Sequence, residues 1–577
     1  SRAFTVDDRT WWFGYAAVVL GGLFITFVAQ RNVTTPFLGL SLALLAVILT
    51  GWTMFPRASL YAVLALTVVS DQATLAWYPF VKNLSSRESI SFVADSLTVS
   101  PLDLALVSGV AISALRQFAA HRRLVADNPL RRPMWFFFGF VLYGFVRGIS
   151  SGGDVRIAVL VGRPLLYVFF TYVIAMNELT EPKHRRWAFA AVIVGIVAQS
   201  LLSIEFLTRL SAADRDTLES FTEHGAAIGH NLVIVFLVVL LLFRVRRRTV
   251  RWAVALGSFP VIFVYLLGQR RAGVAALLVA GIVVAIMLFW RARTRFWVVV
   301  PFTALLLAAY TGAFWNSTSS AGFPAQAVKT VIAPDSASAK DQSSDLYRDM
   351  EAFNLNYTIR TAPITGYGFG QPFLRPVPLP DISVFELNAY QPHNSVLWVW
   401  TKLGFFGFTT MLYLLARTIV IGIERCRRMT NGIDFAVTFS SVLFVIMYAV
   451  YTYVDVSWDA RNTATDDVGE PIGISIDVGV IFCPRASCIP ETTTGRPIDI
   501  ASKIVVMPAW KSTGSSGITT TAERSNNDRS SSKLKRSMRT LPGIVRPAEL
   551  SDRFDHGLAA AITTSASSPT TASSKVG

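Results

Sequence analysis

The chain has 577 residues, 52% hydrophobic and 16% charged, where an average soluble protein carries about 25% charged residues. Apolar runs of about 20 residues, the length that crosses a bilayer as a helix, recur along most of it and exclude a soluble globular enzyme. The formal net charge of +16 lies in short basic clusters between these runs, which points to membrane topology rather than nucleic acid.

The chain opens at Ser1 with no initiator Met and no cleavable signal peptide, so its natural start is expected upstream. The apolar runs predict about thirteen membrane helices. They lie near 11–29, 36–55, 58–79, 100–119, 134–149, 157–176, 187–207, 228–243, 251–268, 271–290, 296–313, 394–420 and 434–454. Asp71 inside the third predicts a break there. The expected fold is an all-α polytopic bundle with helices in 1–313 and 394–461, a large external loop over 314–393 and a tail over 462–577. Three cysteines, Cys426, Cys483 and Cys488, are too few for a disulfide scaffold.

Orientation follows from the basic connections. Arg116, Arg122, Arg123, Arg131 and Arg132 follow the fourth span, and Lys183, Arg185 and Arg186 follow the sixth. Arg244, Arg246, Arg247, Arg248 and Arg251 follow the eighth, Arg291, Arg293 and Arg295 the tenth, and Arg425, Arg427 and Arg428 the twelfth. The alternate connections are weakly charged or acidic, as at 208–227 with Asp214, Asp216, Glu219 and Glu223. Basic loops stay in the cytoplasm, so the N-terminus is predicted cytoplasmic and 314–393 external.

Residues 314–393 are too long for a plain connector, and a loop of this size on one face of a bundle commonly carries function. Asp345 to Arg360 has apolar residues at helical spacing and predicts an amphipathic helix. GYGFG at 366–370 reads as a flexible turn, and Pro372, Pro376, Pro378 and Pro380 keep the following stretch extended. Close backbone approach to a phosphate is a second use for those glycines.

Four sets of residues could carry chemistry. Arg270 and Arg271 lie between the ninth and tenth spans on the predicted external side, against the positive-inside tendency. A guanidinium can bind phosphate bidentately; equally, both could snorkel to lipid headgroups. Arg348 on the amphipathic helix reads as a ligand for the same anion or as a solvated charge. His393 precedes the twelfth span, where the positive end of a helix dipole favours a neutral imidazole that can accept a proton from a hydroxyl; a capping or interfacial histidine is the plainer reading. Asn394 reads as an N-cap or a hydrogen-bond donor. The sequence holds no P-loop, Rossmann fingerprint or HExxH. The external face lacks an Asp-rich cation cluster, so a metal-dependent nucleotide-sugar transferase is not expected.

Together these residues resemble the family of bacterial O-antigen ligases and O-antigen polymerases, over roughly residues 10–461. The resemblance rests on the Arg-bearing helix, PITGYGFG, PHNSVLWVWTKLGFFGF opening a span, and GQRRAGVAALL, where Arg270 departs from the serine of the family's Ser-Arg-small motif. It implies a plasma-membrane enzyme that moves a glycan from undecaprenyl pyrophosphate to a hydroxyl acceptor, lipid A core or another lipid-linked glycan, with no metal and no nucleotide sugar. Arg271 and Arg348 would hold the pyrophosphate, His393 would activate the acceptor, and Arg270 and Asn394 would support them.

Two competing classes remain at this stage. A lipid-linked oligosaccharide flippase should carry ionisable residues along its spans and repeated broken helices, whereas the polar groups here gather at one face. A structural scaffold would tolerate loss of the histidine and arginines. After Asn462 the pattern changes to Ser, Thr, Pro and charge, which predicts disorder. A frameshift near 462 is one hypothesis for that change, and an unaltered frame with a matching transcript would overturn it.

Overall fold

The structure is a computed structural model, and it describes residues 38–69, 100–210, 225–333 apart from 246 and 318, 339–380, and 386–454. Among these residues there are fourteen α-helices and no strand. In chain order they are α1 (Leu38–Met54), α2 (Pro56–Val69), α3 (Pro101–Ala119), α4 (Arg131–Ser150), α5 (Val155–Glu178), α6 (Pro182–Arg209) and α7 (Ala226–Leu242). They continue with α8 (Arg248–Gly268), α9 (Arg271–Arg291), α10 (Arg293–Ala313), α11 (Phe323–Ile332), α12 (Ala339–Thr361), α13 (Ser395–Arg428) and α14 (Ile433–Val454).

Each expected span from the second to the thirteenth overlaps one of these helices, the third only over 58–69 because 70–79 lie outside the described residues. The first, the break at Asp71, the acidic part of the 208–227 connection and the tail lie outside the described residues. Nine helices, α3 to α6, α8 to α10, α13 and α14, are long and apolar enough to cross a membrane, and α1, α2 and α7 are apolar but shorter. The chain is thus a multi-pass membrane protein, all-helical over the described residues.

Burial is uneven. Most of α5 is enclosed, with α3 and α4 against it, and most of α14 is enclosed among α7, α9 and α13. The packing of α4 on α13 joins these two groups. No residue of α10 is buried, which leaves its apolar surface to lipid.

The two ends of the bundle differ in chemistry. At one end arginines donate to the carbonyls that helix C-termini leave unpaired. Arg116 reaches Trp52 O (3.0 Å) and Thr53 O (2.6 Å) in the last turn of α1. Arg295 reaches Leu242 O of α7 (2.9 Å), and Arg291 reaches Met429 O after α13 (2.6 Å). The basic clusters therefore close helix ends as well as mark one side of the bundle. Residues 314–393 emerge at the opposite end, beside the starts of α5, α9 and α13.

Helix α13 is broken at Gly404, whose φ of 68° and ψ of −175° are not helical. In an apolar setting the groups freed by such a break must find other partners. The PITGYGFG segment supplies them. Tyr367 N donates to Thr401 O (2.8 Å), Gly368 N to Lys402 O (3.1 Å), and Phe405 N to Pro363 O (2.9 Å). The same segment docks on α4, where Phe369 N donates to Gly144 O (3.0 Å).

Glycine is required by contact here. A Cβ on Gly368 (φ 82°) would lie 2.2 Å from Gly148 N, and one on Gly404 would lie 2.0 Å from Ile364 O. GYGFG is therefore a backbone clasp between α4 and α13.

Gly368→Ala should cost clearly more than Gly152→Ala. Gly152 shares the positive φ (84°) but has open space around its Cβ. Gly152→Ala should cost about 1–2 kcal/mol from backbone strain alone. Gly368→Ala adds a steric collision with backbone. Thermal unfolding of the two variants in one detergent measures the difference, and equal melting temperatures would contradict the clasp.

Candidate active site

The site is built where α9, α12 and α13 meet at the end bearing residues 314–393. Gly268 ends α8, and Gln269 turns the chain through the left-handed region (φ 46°, ψ 45°). Arg270 then occupies the N-cap of α9 and Arg271 its first helical position. The Arg271 guanidinium meets Asp345 with two bonds, Nη1 to Oδ2 at 3.2 Å and Nη2 to Oδ1 at 3.0 Å. Arg348 Nη1 lies 3.7 Å from the same Oδ1. One carboxylate thus gathers both predicted phosphate ligands, and the Asp345 side chain is half exposed.

Positions 345, 348 and 351 fall on one stripe of α12, since residues three apart on a helix are neighbours. Glu351, next on that stripe, is buried, with only 3% of its side chain exposed. Its Oε2 accepts from the backbone N–H of His393 (2.7 Å), and its Oε1 lies 3.2 Å from His393 Nδ1. That second contact is a hydrogen bond when Nδ1 carries the proton, and it leaves Nε2 as the nitrogen turned away from Glu351. His393 remains 28% exposed, so a substrate can reach it. The Tyr347 ring stands edge-on to the imidazole at 5.3 Å. Burial first, then the Glu351 carboxylate, pushes the Tyr347 phenol up to about 12, so it stays protonated.

The extended stretch after the clasp is tied along α12. Buried Asn354 donates to Val377 O (2.8 Å) and accepts from Val377 N (3.0 Å), and Thr358 Oγ1 accepts from Leu374 N (2.9 Å). Lys402 of α13 is buried and donates to Gln371 O. The prolines expected to keep this stretch extended lie in chain without helix, with Pro380 its last described residue.

The five predicted site residues therefore divide. Arg271 and Arg348 converge on Asp345, and His393 stands on Glu351 of the same helix. By the helical rise, Asp345 and Glu351 are about 9 Å apart along α12. Asn394 is the N-cap of α13, its Oδ1 accepting from Leu397 N at 3.0 Å. Of the two adjacent arginines, Arg271 is the one that meets Asp345.

Sequence reasoning passed over Asp345, Glu351 and Lys402. Asp345 and Glu351 had a signal in their spacing, each three residues from Arg348 and six from one another. Lys402 had one as a lone cation inside an apolar run. Asn231 was also passed over. It is fully buried under the start of α9, where Nδ2 donates to Gly273 O (2.8 Å). Among the described residues no group of three or more His, Cys, Asp or Glu side chains is placed to hold a metal ion.

Asn394→Ala should lower stability by about 1 kcal/mol through loss of the cap, and Asn394→Asp should restore it. Thermal unfolding separates the outcomes. An Ala variant as stable as the parent would show that the cap contributes nothing.

No curated protein matches the chain significantly. Residues 256–412 match the family model described as O-antigen ligase. That stretch runs from α8 through the clasp into α13 and contains all five predicted site residues. Over these residues, which carry the candidate site, the chain is similar to the O-antigen ligase family.

Proposed function

We propose that the protein transfers a glycan from undecaprenyl pyrophosphate to a hydroxyl acceptor at the end of the bundle bearing residues 314–393, taken as the external face of the plasma membrane. The observation that carries this reading is one helix, α12, that sets two arginines and a carboxylate-backed histidine within about two turns of each other. Arg271 and Arg348 would take the pyrophosphate in place of Asp345. A guanidinium pairs with a phosphate through two parallel charge-assisted bonds, and the pair would stabilise the charge that grows on the leaving group.

His393 would serve as the base. Its Nε2 accepts the proton of the acceptor hydroxyl as the hydroxyl oxygen attacks the anomeric carbon. The bond from that carbon to the pyrophosphate oxygen breaks, and undecaprenyl pyrophosphate leaves with the electron pair. Glu351 would hold the ring through Nδ1 and stabilise the imidazolium that forms, the role a carboxylate plays behind a catalytic histidine. Because pyrophosphate is a good leaving group, positioning and electrostatics supply most of what is needed. Arg270, at the N-cap of α9, would add positive charge beside Arg271. Asn394 would hold the start of α13 and so the backbone that carries His393. The acceptor is lipid A core in a ligase and a second lipid-linked glycan in a polymerase.

The test uses purified full-length protein and an undecaprenyl-pyrophosphate glycan, with and without lipid A core. His393→Ala should slow release of undecaprenyl pyrophosphate by about 10²- to 10⁴-fold, the usual contribution of a general base. Arg348→Lys should also lose activity, because an ammonium cannot form the two-pronged contact. A ladder of products without core marks a polymerase, and a single shift of core marks a ligase. A folded parent protein that releases nothing, or a His393→Ala variant as fast as the parent, would count against transfer and favour a transporter.

A further inference from the structure

The opposite end of the bundle, where the arginines close the helix C-termini, carries a cleft between α6, α7, α8 and the start of α14. Its volume is about 760 Å³. Ile193, Val197, Phe236 and Val254 form apolar walls, and Lys183, Arg186 and Arg247 stand at its mouth. The α8 wall runs from Arg247 to Gly257, about 15 Å of helix. The α6 wall is longer, from Lys183 to Leu201, about 27 Å, so the cleft reaches past one leaflet of a hydrocarbon core about 30 Å thick. It narrows where Gly257 meets α6, with a Cβ there only 3.1 Å from Val197 Cγ2.

The mouth has the features of a headgroup level. Trp187 and Trp252 are exposed beside it (66% and 75%), as aromatic residues are at membrane interfaces. The charges there are not all balanced. Arg186 is held by Asp434 through two bonds (2.6 and 2.7 Å), and Lys183 Nζ lies 2.9 Å from Glu181. Arg247 makes no ion pair among the described residues, and the same holds for Arg244, Arg248 and Arg251 in the adjoining turns. A deep apolar slot whose basic mouth carries more cations than paired acids is complementary to an acyl chain with a negative headgroup, and basic pockets between membrane helices take such lipids.

We propose that this cleft binds an anionic glycerophospholipid, one acyl chain between α6 and α8 and its phosphate on Lys183 and Arg247. The site is separate from the candidate active site and does not depend on glycan transfer.

Native mass spectrometry of the detergent-purified full chain, titrated with phosphatidylglycerol and phosphatidylethanolamine of identical acyl chains, tests it. The parent protein should retain phosphatidylglycerol preferentially. Each cation near a lipid surface is worth about fivefold in binding, so Lys183→Gln with Arg247→Gln should weaken phosphatidylglycerol roughly 25-fold, to the level of phosphatidylethanolamine. Ala253→Trp, which fills the slot, should remove both lipids. Ala253→Leu, a smaller plug that serves where tryptophan prevents folding, should weaken both, and elution profile and thermal unfolding show which variants are folded. Arg293→Gln, a cation lost from the same end but away from the cleft, should change nothing. Equal retention of the two lipids by the parent overturns the proposal, and so does a double glutamine variant that keeps its preference. Retention of neither lipid also overturns it and would mean that a protein segment, such as the apolar run 11–29, fills the cleft.

Discussion

A helix inside a lipid bilayer cannot leave a backbone amide or carbonyl unpaired, because no water is there to receive it. The break in α13 at Gly404 creates that problem, and the chain solves it with its own loop. Thr401 O, Lys402 O and Phe405 N find partners in Pro363, Tyr367 and Gly368. The repair has a consequence for the site. The clasp begins two residues after α12 ends at Thr361, and His393 directly precedes Asn394, the N-cap of α13. Holding Pro363 to Gly368 against α13 therefore fixes α12 relative to the helix that bears the histidine. Glu351 and Arg348 are placed by the same hydrogen bonds that repair the break.

The charges of the site are unequal in what they do for the fold. The Arg271–Asp345 pair is partly exposed, and pairs of that kind add little stability. Glu351 is different, because a buried carboxylate is costly unless its oxygens are bonded. Here one oxygen takes the His393 amide and the other meets the imidazole. Removing the histidine side chain leaves one of those bonds, whereas removing Glu351 leaves the partly buried His393 N–H without its acceptor. Glu351 thus has a structural as well as a positioning duty, and Asp345 is the more replaceable of the two.

Much of the fold was legible because bilayer thickness sets a length that composition alone reveals. The positions of the apolar runs located the helices, and the arginine clusters separated the two ends. The candidate site residues could be picked out by type, and their partners could not. Arg270 and Arg271 stand out as cations that a topology rule disfavours, and His393 by its place at a span boundary, whereas Arg348 alone reads as a solvated charge. Glu351 and Asp345 look in sequence like any acids on a solvated helix face, because only the docking of α12 against α13 buries one and pairs the other. GYGFG was read as a turn with a possible phosphate contact. Its glycines answer instead to Gly144, Gly148 and Gly404 on two other helices, and pairings of that range leave no mark in local sequence. Lys402 was lost inside an apolar run for the same reason, since its acceptor, Gln371 O, lies in a distant loop.

The two ends of the bundle use arginine in opposite electrostatic settings. Where Arg116, Arg291 and Arg295 meet helix C-termini, the negative end of each dipole favours the cation, so those residues stabilise the fold where they stand. Arg271 occupies the first turn of α9, and Arg270 its N-cap. There the dipole and the unpaired amides already present positive charge, so two added guanidiniums oppose it. An anion relieves the conflict on both counts, as helix N-termini are anion sites in their own right. Asp345 is that anion in the resting protein. In the proposed reaction a pyrophosphate, with more charge and more acceptor oxygens, is the better partner for the same groups. An arrangement that is poor for stability and good for an anionic ligand is the expected signature of a binding site rather than of a surface cation.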